Sequence, residues 1–381
     1  MNERQTIQPF TPQLTCSRCE WKEPIERLVN LCPLCSSPIL VRYALERREG
    51  LREEIASRRS DMWRWSEVLP LPLGGEIVSL GEGETPLLPS RDHEGVYFKD
   101  ESNNPTRSFK ARGMAVAVTM AKHLGAQRLA APTAGNAGCA LAAYGARAGI
   151  PVFVAMPDDT PPSIVDEARS YGADVVLVRG VITDAAKRVQ QEIAANGGFD
   201  LSTLKEPYRV EGKKIMAYEL VAQLGRVPDV ILYPTGGGTG LIGMWKAFEE
   251  MECLGWIGPE RPRMVSVQSS GCAPIVRAFE AHLETAPEWE SPKTEAWGLR
   301  VPRAVGDRLM LQAIRDSGGT AIAVADEEIE RAADELRRHE ALDAGPEGGA
   351  GLLGLKHLEA AGALKPGETI VVFNTGGNKY H

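Results

Sequence analysis

No run of apolar residues approaches the roughly 18 that a membrane-spanning helix requires. The opening stretch, MNERQTIQPFTPQ, is polar and lacks the apolar segment of a secretory signal, so the expected location is the cytoplasm. A basic excess is missing as well: 43 Lys and Arg stand against 51 Asp and Glu, a net charge of −8. That balance excludes a general nucleic-acid binder, which needs a basic face, and leaves open a small anionic ligand held locally. Aromatic residues are scarce, at 6%. The seven cysteines are odd in number and accompany no signal, which excludes a disulfide framework. There is no internal repeat and no low-complexity tract. With 43% hydrophobic and 25% charged residues, the chain is not intrinsically disordered.

Glycine is abundant, at 39 of 381 residues, as in an α/β enzyme with many tight turns. At about 150 residues per domain, the length predicts two or three domains. From residue 80 onward the chain alternates strand, Gly-rich turn and helix. Strands are predicted at 96–100, 128–133, 151–157, 174–180, 229–235, 263–270 and 369–375, with helices at 108–125, 136–149, 162–172 and 239–251. Apolar, β-branched strands between helices imply parallel sheets covered on both faces. Residues 44–60 are charge-dense and read as a connecting helix, followed by WRWSEVLPLPLGGE as a linker packed on a surface.

Four of the cysteines fall in the first 35 residues, as Cys16-x2-Cys19 and Cys32-x2-Cys35. Two such knuckles supply the four thiolates of a tetrahedral zinc ribbon. Four ligands leave no open position, so the site is expected to be structural. The segment 14–41 is too small to hold a core of its own.

Gly236-Gly237-Gly238-Thr239-Gly240 follows a strand and opens a helix. Converging backbone N–H groups and the helix N-terminus make such a run an anion cradle, most simply for phosphate; a tight turn without ligand is the other reading. Gly238-x-Gly240-x-x-Gly243 matches a dinucleotide pattern, yet the next strand ends in Gln268-Ser269-Ser270, with no carboxylate for a ribose. Leu241-Ile242 stands where a nucleotide-binding GK[ST] would be. Lys110 opens a helix, where the dipole disfavours a cation and lowers its pKa. Such a lysine can form a Schiff base, although spacing alone leaves a solvated surface lysine open. In Thr133-Ala134-Gly135-Asn136-Ala137-Gly138 the backbone amides suit a carboxylate and Asn136 suits a ring oxygen; a helix-capping Asn136 is the alternative. None of the six histidines lies in these loops, which removes support for a Ser-His-Asp hydrolase.

SFKARG, PTAGNAG, PTGGGTG and NTGG, in that order, resemble the fold-type II pyridoxal-phosphate enzymes, whose two-domain fold is like the tryptophan synthase β subunit. Leu80-Gly81-Glu82-Gly83-Glu84-Thr85-Pro86-Leu87 and the N-terminal knuckles resemble the threonine synthase branch. The resemblance implies pyridoxal 5'-phosphate and a structural zinc as cofactors, and a cytoplasmic homodimer acting on a small amino-acid substrate. It implies Lys110 as the Schiff-base lysine that shuttles protons at Cα and Cβ. Asn136 would face the ring oxygen, Gly236 to Gly240 the cofactor phosphate, and Thr375 the pyridine nitrogen. A hydroxyl at the nitrogen favours elimination at Cβ and Cγ. Thr133, Ala134 and Gly135 would hold the substrate carboxylate, and Arg209, in YRVEG, would meet the substrate phosphate. The implied division is a ribbon over 1–45, a small domain over 101–205 carrying Lys110 and the Asn136 loop, and a large domain over 46–100 and 206–381.

The resemblance implies conversion of O-phosphohomoserine and water to threonine and phosphate. The alternative is β-elimination or β-replacement on serine, threonine or phosphoserine, as in dehydratases or cysteate synthases. A non-catalytic zinc-ribbon scaffold is the third reading, disfavoured by Lys110, Asn136 and the glycine run. The chain departs from the threonine synthase pattern at Ala137, where Thr is common, at Gly237, where Asn is common, and at Ala111, where Asp is common. Arg107 replaces a small residue and is a candidate substitute donor.

Overall fold

The computed structural model describes residues 10–71 and 74–378. Residues 1–9, on which the expected lack of a signal rests, lie outside the described residues. Strands β1 (Pro12–Cys16), β2 (Lys22–Pro24) and β3 (Ile39–Tyr43) form an antiparallel ribbon with β1 in the centre. Its Leu14 and Val41 are fully buried and join the core of the main body. The ribbon therefore folds onto a neighbour, as its size requires.

Strands β4 (Leu87–Pro89) and β5 (Val96–Asp100) come next. The chain then builds a four-stranded sheet from β6 (Leu129–Pro132), β7 (Val152–Pro157), β8 (Asp174–Val178) and β9 (Phe199–Asp200), ordered β8-β7-β6-β9 and wholly parallel. It returns through β10 (Val230–Pro234), β11 (Arg263–Ser269), β12 (Thr320–Val324) and β13 (Ile370–Asn374). With β4 and β5 these make a six-stranded sheet, β12-β11-β10-β13-β5-β4, in which only β4 is antiparallel. Strands β7, β10 and β13 are buried along their whole length, as expected of parallel strands covered by helices on both faces.

Every strand predicted from the sequence is present within two residues at each end. The first predicted helix begins later, as Lys110–His123, because Ser108 is extended and bridges Gly376. Two readings differ from the structure. The charge-dense 44–60 segment is helical only over Leu51–Ser57, because Gly50 adopts a left-handed φ of 74° that interrupts the pattern. The aromatic linker is not a surface strap: Met62–Val68 is a buried 3-10 turn. Trp65 packs 5.2 Å from Tyr218 and 6.1 Å from Trp256, ring centroid to centroid. Periodicity cannot show burial that depends on aromatic partners more than 150 residues away.

Among the described residues no helix is long and apolar enough to cross a membrane.

Candidate active site

Four chain segments predicted to carry chemistry emerge from the carboxyl ends of parallel strands. Asp100 of β5 leads to Lys110, and Pro132 of β6 to the Thr133–Asn136 loop. Pro234 of β10 leads to the glycine run, and Asn374 of β13 to Thr375. In parallel α/β sheets that edge is where loops converge on a ligand. Here it frames a cavity of about 680 Å³ between the two sheets. Lys110, Thr133, Ala134, Gly135, Asn136, Gly236 to Gly240 and Thr375 all line it.

Lys110 is the first residue of its helix, but the position alone does not set its chemistry. Burial pushes its amine down to about 7, the Arg209 charge adds to the shift, and Glu347 opposes it. Desolvation, more than the helix dipole expected from the sequence, is the cause. The Nζ lies 4.2 Å from the centre of the Phe109 ring, and among the described residues no carboxylate forms an ion pair with it.

The glycine run has little room for side chains. A Cβ at Gly237 would meet Thr203 Cγ2 at 2.5 Å, and one at Gly238, where φ is +77°, would overlap Met310. An Asn at 237, common in threonine synthases, would need Thr203 to move. What remains is a backbone-lined hollow at the N-terminus of the Thr239–Cys253 helix. Thr133 Oγ1 accepts from Gly135 N at 3.2 Å, which fixes the loop before Asn136. Asn136 does not cap its helix; Gly135 occupies that position, and the Asn136 Oδ1 is buried without a partner. Ser108 Oγ, beside Lys110, is likewise unpartnered. A buried lysine whose amine is pushed down to about 7, a glycine-lined hollow and the unpaired Asn136 oxygen in one cavity fit pyridoxal phosphate.

Arg209 is not among the residues lining the cavity. Its guanidinium is buried behind the wall and donates to Leu201 O at 2.7 Å, leaving Nε unpartnered. Gly212 permits this placement: a Cβ there would run into the Arg112 backbone where the Tyr208–Leu224 helix crosses the Lys110–His123 helix. Arg107 turns to solvent and pairs with Asp343 at 2.5 Å, so it supplies no donor to the cavity.

Several lining residues were not read from the sequence. Arg300 spans the cleft to Asp159, with two contacts of 2.9 Å, and stacks 4.0 Å over Trp297. Arg303, Lys205 and Ser36 also line the cavity. Glu347 accepts from Gly298 N at 2.7 Å. Their positions at loop ends far apart in the chain carried no local signal.

The four ribbon thiols gather at one point. Cys16, Cys19, Cys32 and Cys35 place their Sγ atoms within 4.8 Å of one another, with Cys16–Cys35 at 3.4 Å and Cys19–Cys32 at 3.6 Å. A tetrahedral zinc–thiolate site, with Zn–S near 2.3 Å, has edges of about 3.8 Å. The ribbon also reaches the cavity: Asn30 Nδ2 donates to Asp200 O at 2.7 Å and Lys205 O at 2.8 Å.

This fold and this cavity define a pyridoxal-phosphate-dependent enzyme, and residues 78–376 match the family model described as "Pyridoxal-phosphate dependent enzyme". Similar folds include a maize serine racemase, with a TM-score of 0.68 and 21% identity over 78% of this chain and 88% of that one. A T.th. threonine deaminase has a TM-score of 0.66 and 24% identity over 78% of this chain and 93% of its own. Sequence relatives are more specific. The threonine synthase of Methanocaldococcus jannaschii is 34% identical over 95% of this chain and 91% of that protein. That of Halalkalibacterium halodurans is 34% identical over 84% and 88%. The chain belongs to the threonine synthase family of these enzymes.

Proposed function

We propose that the protein converts O-phosphohomoserine and water to threonine and phosphate. The observation that carries this reading is the convergence of Lys110, Asn136, the glycine run and Thr375 on one cavity, in a chain alignable to named threonine synthases over nearly its full length. Bound pyridoxal phosphate supplies the electron sink that makes the Cα and Cβ protons of the amino acid acidic. In this reading the Gly236–Gly240 backbone and Thr239 seat its phosphate, Asn136 its ring oxygen and Thr375 its ring nitrogen. The Thr133–Gly135 amides orient the substrate carboxylate. Lys110, with its amine near neutrality, moves protons at Cα and Cβ. Phosphate leaves Cγ, Cγ takes up a proton to become the methyl carbon, and water adds at Cβ. Lys205, Arg300 and Arg303 are the cavity cations available to the departing phosphate, and Arg209 contributes charge from behind the wall. The Arg300–Asp159 pair joins the two halves of the cleft. The small unit over 101–205 and the large unit over 46–100 and 206–381 are then the two halves that close on substrate. A cytoplasmic homodimer belongs to the same reading.

The test is incubation of the cofactor-loaded protein with O-phosphohomoserine, with phosphate and threonine both quantified. Equal amounts of the two are expected. Absence of both, with keto acid formed from serine or threonine, would replace this reading by β-elimination. Ala137 and Gly237 are the features that favour that second reading, because neither adds a side-chain donor to the cavity.

The four thiols are proposed to hold one structural zinc. Because Asn30 braces the 200–205 loop and Ser36 lines the cavity, metal loss is expected to weaken substrate binding as well as the ribbon. A strong chelator should release about one zinc per chain and raise KM several-fold, while the cofactor absorbance persists. Freshly purified, reduced protein that yields no zinc would refute this.

A further inference from the structure

Beneath the glycine run lies a buried amine to which the proposed function assigns no part. Lys213 is fully buried, and its Nζ donates to Thr239 Oγ1 at 2.5 Å. The same Nζ is 4.4 Å from the centre of the Phe109 ring, which Lys110 Nζ approaches to 4.2 Å. The groups facing it are Lys110 on the crossing helix, Arg209 one turn earlier on its own helix, and Glu206 just before that helix. Glu206 accepts from the Tyr208 and Arg209 backbone amides, and burial pushes its carboxyl up to about 7. Among the described residues no carboxylate forms an ion pair with Lys213. Burial first, then Lys110 and Arg209, hold its amine well below the ordinary lysine range.

A buried amine among cations is an unfavourable arrangement unless an anion completes it. The hollow at Gly236–Gly240 is where an anion fits, and glycines bring no charge to it. Thr239 is the one hydroxyl of that run. A threonine hydroxyl has a single proton; when its oxygen accepts from Lys213, that proton is free to point into the hollow.

We propose that Lys213 is a positioning residue for the cofactor phosphate: it orients the Thr239 hydroxyl as a donor and supplies the positive charge that the glycine cradle lacks. The inference rests on the reading that Gly236–Gly240 seats that phosphate. A dianion beside Lys213 favours its ammonium form, so the protein takes up a proton as the phosphate binds.

The test compares pyridoxal phosphate with pyridoxal, which lacks only the phosphate, on protein stripped of cofactor at pH 8. Lys213→Met is expected to weaken pyridoxal phosphate about 10- to 100-fold, the range of one charge-assisted hydrogen bond, and to leave pyridoxal unchanged. Lys213→Arg should restore part of the loss. A preference for pyridoxal phosphate that survives Lys213→Met overturns the inference and leaves the cradle standing. A wild-type protein with no such preference overturns both. A second measurement needs no variant. Calorimetry in two buffers of different ionisation enthalpy should show more proton uptake with pyridoxal phosphate than with pyridoxal. The ester phosphate is already a dianion at that pH. Equal uptake for the two ligands would refute the role of Lys213.

Discussion

Lys110→Ala is expected to abolish the visible absorbance of the cofactor-loaded protein and to lower turnover at least ~10³-fold, since in the proposed function one side chain both captures the cofactor and moves the substrate protons. Alanine leaves the helix start intact, so the fold should persist with a near-native far-ultraviolet spectrum. The wild-type protein carries a linked expectation. Only the free amine attacks the cofactor aldehyde, and burial brings the Lys110 amine to about 7. The rate at which the stripped protein regains its visible band should therefore climb as pH rises through 7 and level off above 8. A rate still climbing steeply toward pH 10 would show an ordinary lysine and would contradict the buried setting.

Glu219→Gln is expected to destabilise the protein by about 3–5 kcal/mol. Lys99, Glu101, Arg112 and Glu219 are all fully buried. Arg112 meets Glu219 at 2.6 Å and Glu101 at 2.7 Å, and Lys99 meets Glu219 at 2.9 Å. Burial alone would raise the Glu219 carboxyl; Arg112 and Lys99 outweigh it and hold the group at about 2. Glutamine keeps the shape but leaves two cations facing one carboxylate without water, and breaking a buried pair costs far more than an exposed one. The urea midpoint should fall with little change in slope. A shift under about 1 kcal/mol would mean that water reaches the cluster. Because the folded carboxyl is depressed, its contribution is complete above the ordinary carboxylate pKa of 4.5 and fades as pH falls toward 2. The cluster ties β5 to the two helices that carry Lys110 and Lys213, so its loss should also loosen cofactor binding.

How much of this was legible without coordinates differs by element. Strands such as Val230–Pro234 and helices such as Asn136–Ala148 were readable because periodicity and a closing glycine are local signals. The place of Gly236–Gly240 was readable because a glycine run between strand and helix exposes its own backbone. The Met62–Val68 turn reads as a surface strap from sequence, since nothing near Trp65 in the chain announces Tyr218 and Trp256. Asn136 was readable as a polar group in a loop but not as one whose oxygen lacks a partner.

Residue order thus settled the alternation of strands and helices, the thiol knuckles, the glycine run between strand and helix and a lysine at a helix start, all properties of a few adjacent residues. Folding decided the rest. It put Arg209 behind the wall and Lys213 beneath Thr239, gave Glu347 and Arg300 to the cavity, and brought the ribbon against the 200–205 loop. Those outcomes depend on the close helix crossing at Gly212 and on sheet order. They join residues far apart in the chain, and burial and charge act only once such residues are neighbours.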